Sequence, residues 1–180
     1  MKYLVRLIVF IAKKAVVVLL VLGLLTTAFT SAMNLSNMFI LLSDGMEYRA
    51  NVILGAKDKT EMVKYFSQEF IDNDESLYEL PYENYRMSGS SYSLRIKSLW
   101  AWPWQTSCNA VVEERVILEG YLKSEHKTQE QVESKEEVHA PLWENRELRV
   151  TLRKQNDGSW IITRMQTIED LPAATARPRL

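Results

Sequence analysis

Residues 15–33 read AVVVLLVLGLLTTAFTSAM, and no charged residue stands between Lys14 and Asp44. A hydrocarbon core of roughly 30 Å is crossed by about 20 such residues in a helix, so this stretch predicts a transmembrane segment. Lys2, Arg6, Lys13 and Lys14 all precede it. Basic residues flanking a span stay on the cytoplasmic side. The expectation is a single pass through the cell membrane, with a cytoplasmic N-terminus and an extracytoplasmic remainder. Residues 3–12, apolar except for Arg6, begin the same helix at the interface, their basic side chains reaching toward headgroups. The competing reading is a cleaved signal peptide, with Ala15–Phe29 as its apolar region and Thr30-Ser31-Ala32 as small residues for cleavage. Met38, Phe39, Ile40, Leu41 and Leu42 prolong the apolar run past that point, which favours a retained anchor. Either way the rest of the chain is exported.

Size and charge bound what is exported. With the stub and anchor assigned to residues 1–42, roughly 140 of the 180 residues remain, enough for one domain with a single core. It is assigned to 43–170, with a disordered tail at 171–180. The net charge of −1 gives no basic field for nucleic acid. Most acidic residues follow the apolar segment, so the domain alone is more acidic, which argues against electrostatic docking on anionic lipid. Cys108 is the only cysteine, so no internal disulfide can staple the domain.

Along the domain the hydrophobic period changes from helical to extended. No proline precedes Pro81, so the membrane helix can run on; Ser43 and Asp44 can also cap a renewed helix, with Met46, Ala50, Ile53 and Leu54 on one face and Gly55 as its end. Asp58 and Glu61 have the spacing of a capping box, followed by the stripe Met62, Phe66, Phe70, with Val63 and Ile71 beside it. Asn73-Asp74-Glu75 closes this second helix. After Pro81, Tyr82–Met87 reads as a short strand ending at Ser88-Gly89-Ser90-Ser91. Tyr92–Trp102 alternates as a second strand, Tyr92, Leu94 and Ile96 against Ser93, Arg95 and Lys97, until Pro103. Asn109–Lys123 is a long strand with Val112, Val116 and Leu118 inward. Ser124–His139 is charged and poor in apolar residues, a solvated loop or hairpin tip. Leu148–Arg153 and Ser159–Ile168 form a final hairpin around Asn156-Asp157-Gly158.

Two helices, then an antiparallel sheet closed by the hairpin VTLRKQNDGSWIITRM (150–165), resemble the NTF2-like (cystatin-like α+β) superfamily over about Ser43 to Asp170. The resemblance implies a curved sheet forming a cone, with Trp160 packed on the helices, and frequent dimerisation. That superfamily includes enzymes, ligand binders and assembly modules, so the fold does not choose among them. Single-pass proteins carrying such a domain outside the membrane resemble assembly factors of secretion, conjugation and sporulation channels.

Chemistry is sparse. Enzymes of that superfamily place an Asp–His or a Tyr–Asp arrangement in the cone, whereas His126 and His139, the only histidines, fall in the charged segment. They have neither the buried setting a general base needs nor clustered ligands for a metal. Glu113 and Glu114 point to opposite faces of their strand; one can be buried, but they are no dyad. No phosphate loop or nucleophile elbow occurs. Cys108 reads as a small buried hydrophobe, since no basic neighbour activates it. The concentrated feature is Trp100-Ala-Trp102-Pro-Trp104. Strand alternation puts Trp100 and Trp102 on one face. They either wall the core with Trp104 at its rim, as tryptophan's usual burial favours, or form a contact surface for a protein, a glycan or the outer leaflet. The expected function is a non-catalytic interaction or assembly module of an envelope complex, without cofactor or metal, whose partners are the membrane and other envelope proteins or a second copy. The alternative is a binder of a small apolar or glycan ligand in a cone lined by these tryptophans.

Overall fold

The structure, a computed structural model, describes residues 2–126 and 137–172. It is an α+β fold. One helix, α1 (Lys2–Ile53), contains 52 residues, about 78 Å at 1.5 Å per residue. It is long and apolar enough to cross a membrane. Through the apolar run its side chains are exposed, Leu19 and Leu24 among them. The hydroxyls there bond back to the helix itself: Thr26 donates to Leu22 O at 2.9 Å, Thr27 to Gly23 O at 2.9 Å and Ser31 to Thr27 O at 2.8 Å. Hydroxyls satisfied in this way are compatible with a medium that offers no water.

No break or cap occurs at Ser43–Asp44; the helix runs straight into the domain. Met38, Leu42 and Met46 are fully buried, and Ala50 and Ile53 nearly so, the i, i+4 stripe of a helix laid on a core. The buried part thus overlaps the apolar run. Gly45 faces the contact: a Cβ there would meet Tyr65 Cβ at 3.0 Å and Ile162 Cδ1 at 3.3 Å. Gly55, at φ +71°, ends α1. Its N–H donates to Val52 O at 2.9 Å and that of Ala56 to Asn51 O at 2.8 Å, the paired bonds of a Schellman stop.

The second expected helix is divided. Asp58 caps a 3-10 turn, Lys59–Lys64, by accepting from Thr60 N, while Glu61 pairs with Lys64 at 3.1 Å instead of completing a capping box. The backbone at Phe66–Ser67 then lies extended beside the last strand. Ile162 N–H donates to Tyr65 O and Ser67 N–H to Ile162 O, both at 2.9 Å. A backbone committed to a strand cannot continue helical bonding. A short α2 (Gln68–Asn73) restarts under the Ser67 cap, and α3 (Ser76–Glu79) follows. Met62, Phe66 and Ile71 are buried as the stripe predicts, but Val63 is exposed.

Four strands, β1 (Tyr85–Leu99), β2 (Ser107–Leu122), β3 (Arg146–Lys154) and β4 (Trp160–Asp170), form one antiparallel sheet in the order β1-β2-β3-β4. The expected turn at Ser88–Ser91 is absent. β1 passes through it as one strand, with register shifts between Met87 and Gly89 and between Ile96 and Ser98. Each is a bulge that inserts one residue. Ala110, Val112, Val116, Leu148, Val150, Leu152 and Ile162 bury the inner face under α1, and Trp160 is buried. Beyond Glu114, β2 no longer pairs with β3. Buried Asn145 bridges the gap, accepting from Val116 N–H at 2.8 Å and donating to Pro172 O at 3.3 Å. Leu171 N–H donates to Asn145 O at 2.8 Å. These bonds tie down the first two residues of the expected tail; the remainder, like most of the 124–139 segment, lies outside the described residues.

Candidate functional site

Two places hold the chemistry, a buried polar cluster beneath the sheet and an exposed aromatic turn at one end of it. The cluster begins with Arg49, which stands among the apolar residues of α1. Its Nε donates to Asp74 Oδ2 at 2.6 Å and its Nη2 to Asp74 Oδ1 at 3.0 Å, a bidentate pair with both side chains largely buried. Burial opposes the Arg49 charge, but the bond to Asp74 and the fields of Asp74 and Glu114 outweigh it and hold the guanidinium above its ordinary value. Glu114, 2% exposed, accepts from the Tyr92 hydroxyl at 3.3 Å. Burial pushes the Glu114 carboxyl upward, against the Arg49 charge and the polar neighbours Tyr92 and Trp143. Burial, with Glu114 beside it, pushes the Tyr92 phenol far above its ordinary range.

Arg49, Asp74, Glu114, Trp143 and Arg146 line part of an open basin of about 1310 Å³. Tyr92 and Glu114 are a juxtaposed phenol and carboxyl. Glu114 is buried, with the Tyr92 hydroxyl bonded to it. A pH test follows. The Glu114 pKa is higher folded than unfolded, so the folded domain keeps a proton that the unfolded chain releases. Its contribution to stability is present in acid, below the ordinary value of 4.5, and is lost as pH rises through the folded value. Glu114→Gln removes this dependence, so its Tm relative to wild type rises as pH increases above the ordinary value of 4.5. A constant or falling difference in a melting series would refute this assignment.

The aromatic turn is the second place. Trp100, Trp102 and Trp104 are 55%, 45% and 69% exposed, so they do not wall the core. The reason is the bulge at Lys97. From Tyr92 to Ile96 the even-numbered residues of β1 face inward. After the inserted residue the inward positions are Leu99 and Ala101, and Ala101 is buried at 3%. One added residue turns every later side chain to the other face. Lys97 itself reaches the outer face, where it pairs with Glu147 and with Glu113 at 3.4 Å, beside Arg115–Glu113 at 2.5 Å. That face carries a ladder of ion pairs.

The turn is ordered. Trp102 N–H donates to Gln105 Oε1 at 2.7 Å and Gln105 N–H to Trp102 O at 2.9 Å, with Pro103 in the position where its fixed φ suits a β-turn. The Trp100 and Trp102 rings meet edge to face at 5.5 Å, and Trp102 and Trp104 stack at 5.2 Å.

The other sequence candidates fall as follows. His126 and His139 are both exposed; His139 lies against Tyr121 with ring centroids 5.0 Å apart. Glu113 and Glu114 do face opposite ways. Cys108 is buried, its thiol pushed up to about 11 by burial, and it donates to Met38 Sδ at 3.4 Å. Among the described residues no group of His, Cys, Asp and Glu side chains is arranged to hold a metal. Sequence reasoning missed Arg49, Asp74, Tyr92, Trp143 and Asn145. Only Arg49 left a signal, a charge within the Met46–Ala50–Ile53 face. No family, no curated protein and no solved structure matches this chain, so its site is read from its own chemistry.

Proposed function

We propose that this chain is a membrane-anchored, extracytoplasmic interaction module of an envelope complex, non-catalytic, with its N-terminus in the cytoplasm and an NTF2-like domain outside. The observation that carries this reading is the continuity of α1 from a span-length apolar segment into the domain core. A helix without a joint fixes the domain at one height and orientation over the bilayer, which serves assembly and is of little use to a diffusing enzyme. The self-satisfied polar cluster supports the same reading, because its strongest groups bind one another. The basic residues before the span, with no further Lys or Arg until Arg49, support the orientation.

The test uses intact cells. A photocrosslinking residue is placed at Arg95 or Arg149, both exposed on the outer face, and at Tyr78. The reading expects a discrete, reproducible adduct with an envelope protein or a second copy, and digestion of the domain by protease added outside the cytoplasmic membrane. Protection from that protease would refute the orientation. Absence of any adduct, together with a small molecule retained by the purified chain in native mass spectrometry, would favour the ligand-binding alternative. One observation favours that alternative, the open basin beside Trp143. The three tryptophans of the turn are not among the basin's lining.

A further inference from the structure

We infer that the Trp100–Trp104 turn is an interfacial anchor, its three indoles seated in the headgroup layer of the leaflet from which α1 emerges. This rests on the reading of α1 as a membrane anchor. The argument is one of height. Counted from Ala15, immediately after the Lys13-Lys14 pair, the roughly 20 residues that cross the hydrocarbon end near Asn34. Polar Ser36 and Asn37 follow, and Met38 is already fully buried by the domain. The rise from Asn34 to Met38 is only about 6 Å, while each headgroup layer is about 5–7 Å deep. The base of the domain therefore begins within the headgroups.

Two placements fix which end of the sheet is that base. Met38 touches Cys108, near the start of β2. About three helical turns further along α1, Arg49 lines the same basin as Glu114, further along β2. Moving down α1 toward the membrane is thus moving down β2 from Glu114 to Cys108, and from there into the 100–106 turn. This turn is the membrane-facing tip of the β1–β2 hairpin. Beside it stands the β3–β4 hairpin, whose Lys154 N–H donates to Thr106 O at 2.8 Å, bringing Arg153 and Lys154 to the same end.

Tryptophan concentrates at this depth because its ring is apolar while its N–H seeks a polar partner. Ring exposure that is costly in water is favourable there, and the reciprocal Trp102–Gln105 bonds hold the rings out beforehand. No net attraction of the acidic domain to lipid is needed. A charge-free bilayer is therefore the right probe.

The experiment reconstitutes the full chain in phosphatidylcholine vesicles whose acyl chains carry bromine either near the headgroup or near the tail end. The reference is the triple variant Trp100→Phe, Trp102→Phe, Trp104→Phe, which keeps apolar rings and leaves Trp143 and Trp160 as the emitters. Subtraction isolates the emission of the turn. The expected result is blue-shifted emission, quenched several-fold more by shallow than by deep bromine and shielded from aqueous iodide. Emission at the wavelength of water-exposed indole, open to iodide and indifferent to bromine, would overturn the inference if the chain still resists carbonate extraction. A protein-docking surface gives that pattern. Extraction by carbonate would overturn the anchor reading itself, and the inference with it. If the triple variant loses its near-ultraviolet circular dichroism, Trp104→Phe alone supplies the same difference at the most exposed ring.

Discussion

Asp74→Ala lowers the thermal midpoint of the full-length chain in detergent by on the order of 10–15 °C. The loss follows from what remains behind. Arg49 donates two bonds to Asp74 in a setting where its side chain is 11% exposed and that of Asp74 is 8%. Alanine leaves the guanidinium buried and uncompensated, apart from the more distant Glu114, and removing one partner of a buried pair costs about 3–5 kcal/mol. The pair as a whole is worth far less, because ion desolvation consumes most of its attraction. Arg49→Met combined with Asp74→Leu is therefore expected to recover most of the lost midpoint. The four proteins of this cycle, melted side by side, decide the matter. A mild Asp74→Ala variant, or a double variant no better than the single one, would show that the bond is not sealed from water.

Phe66→Ala is expected to cost about 3–5 kcal/mol. Phe66 has no exposed surface and stacks on Phe70 with centroids 4.9 Å apart. Its position is also the one where the chain leaves helical bonding to lie beside Ile162. The aromatic ring thus fills the space between the α1–α2 region and the start of β4. Truncation opens a cavity there without altering the backbone bonds, which any residue but proline can make. Phe66→Leu, closer in volume, should lose less than half as much. Denaturant midpoints of the two variants test this, and equal losses would mean that ring stacking, not volume, governs the site.

Much of the architecture was legible in the sequence because it depends on local patterns. The span-length apolar run, the Gly55 stop, the Asn156-Asp157-Gly158 hairpin and the alternation of Leu148, Val150 and Leu152 each follow from the preferences of neighbouring residues. So does the opposite facing of Glu113 and Glu114. The division of the 58–73 segment was not legible. Met62, Phe66 and Phe70 carry a helical period, and only the approach of β4 makes an extended backbone at Phe66–Ser67 the better bonded choice. The Arg49–Asp74 pair and the Asn145 bridge were hidden for a similar reason, since their partners are far apart in the chain.

By itself, the amino-acid order determined an apolar helix long enough to cross a membrane, an α+β domain after it, and the presence of three tryptophans in five residues. Where those tryptophans point was decided by tertiary structure. A strand's side chains alternate strictly, so their facing depends on counting from a fixed register, and register is set by the partner strand. The bulge at Lys97, where the residue after Ile96 finds no opposite number on β2, shifts that count by one. Ala101 goes into the core and the indoles go out, at the end of the sheet from which α1 departs.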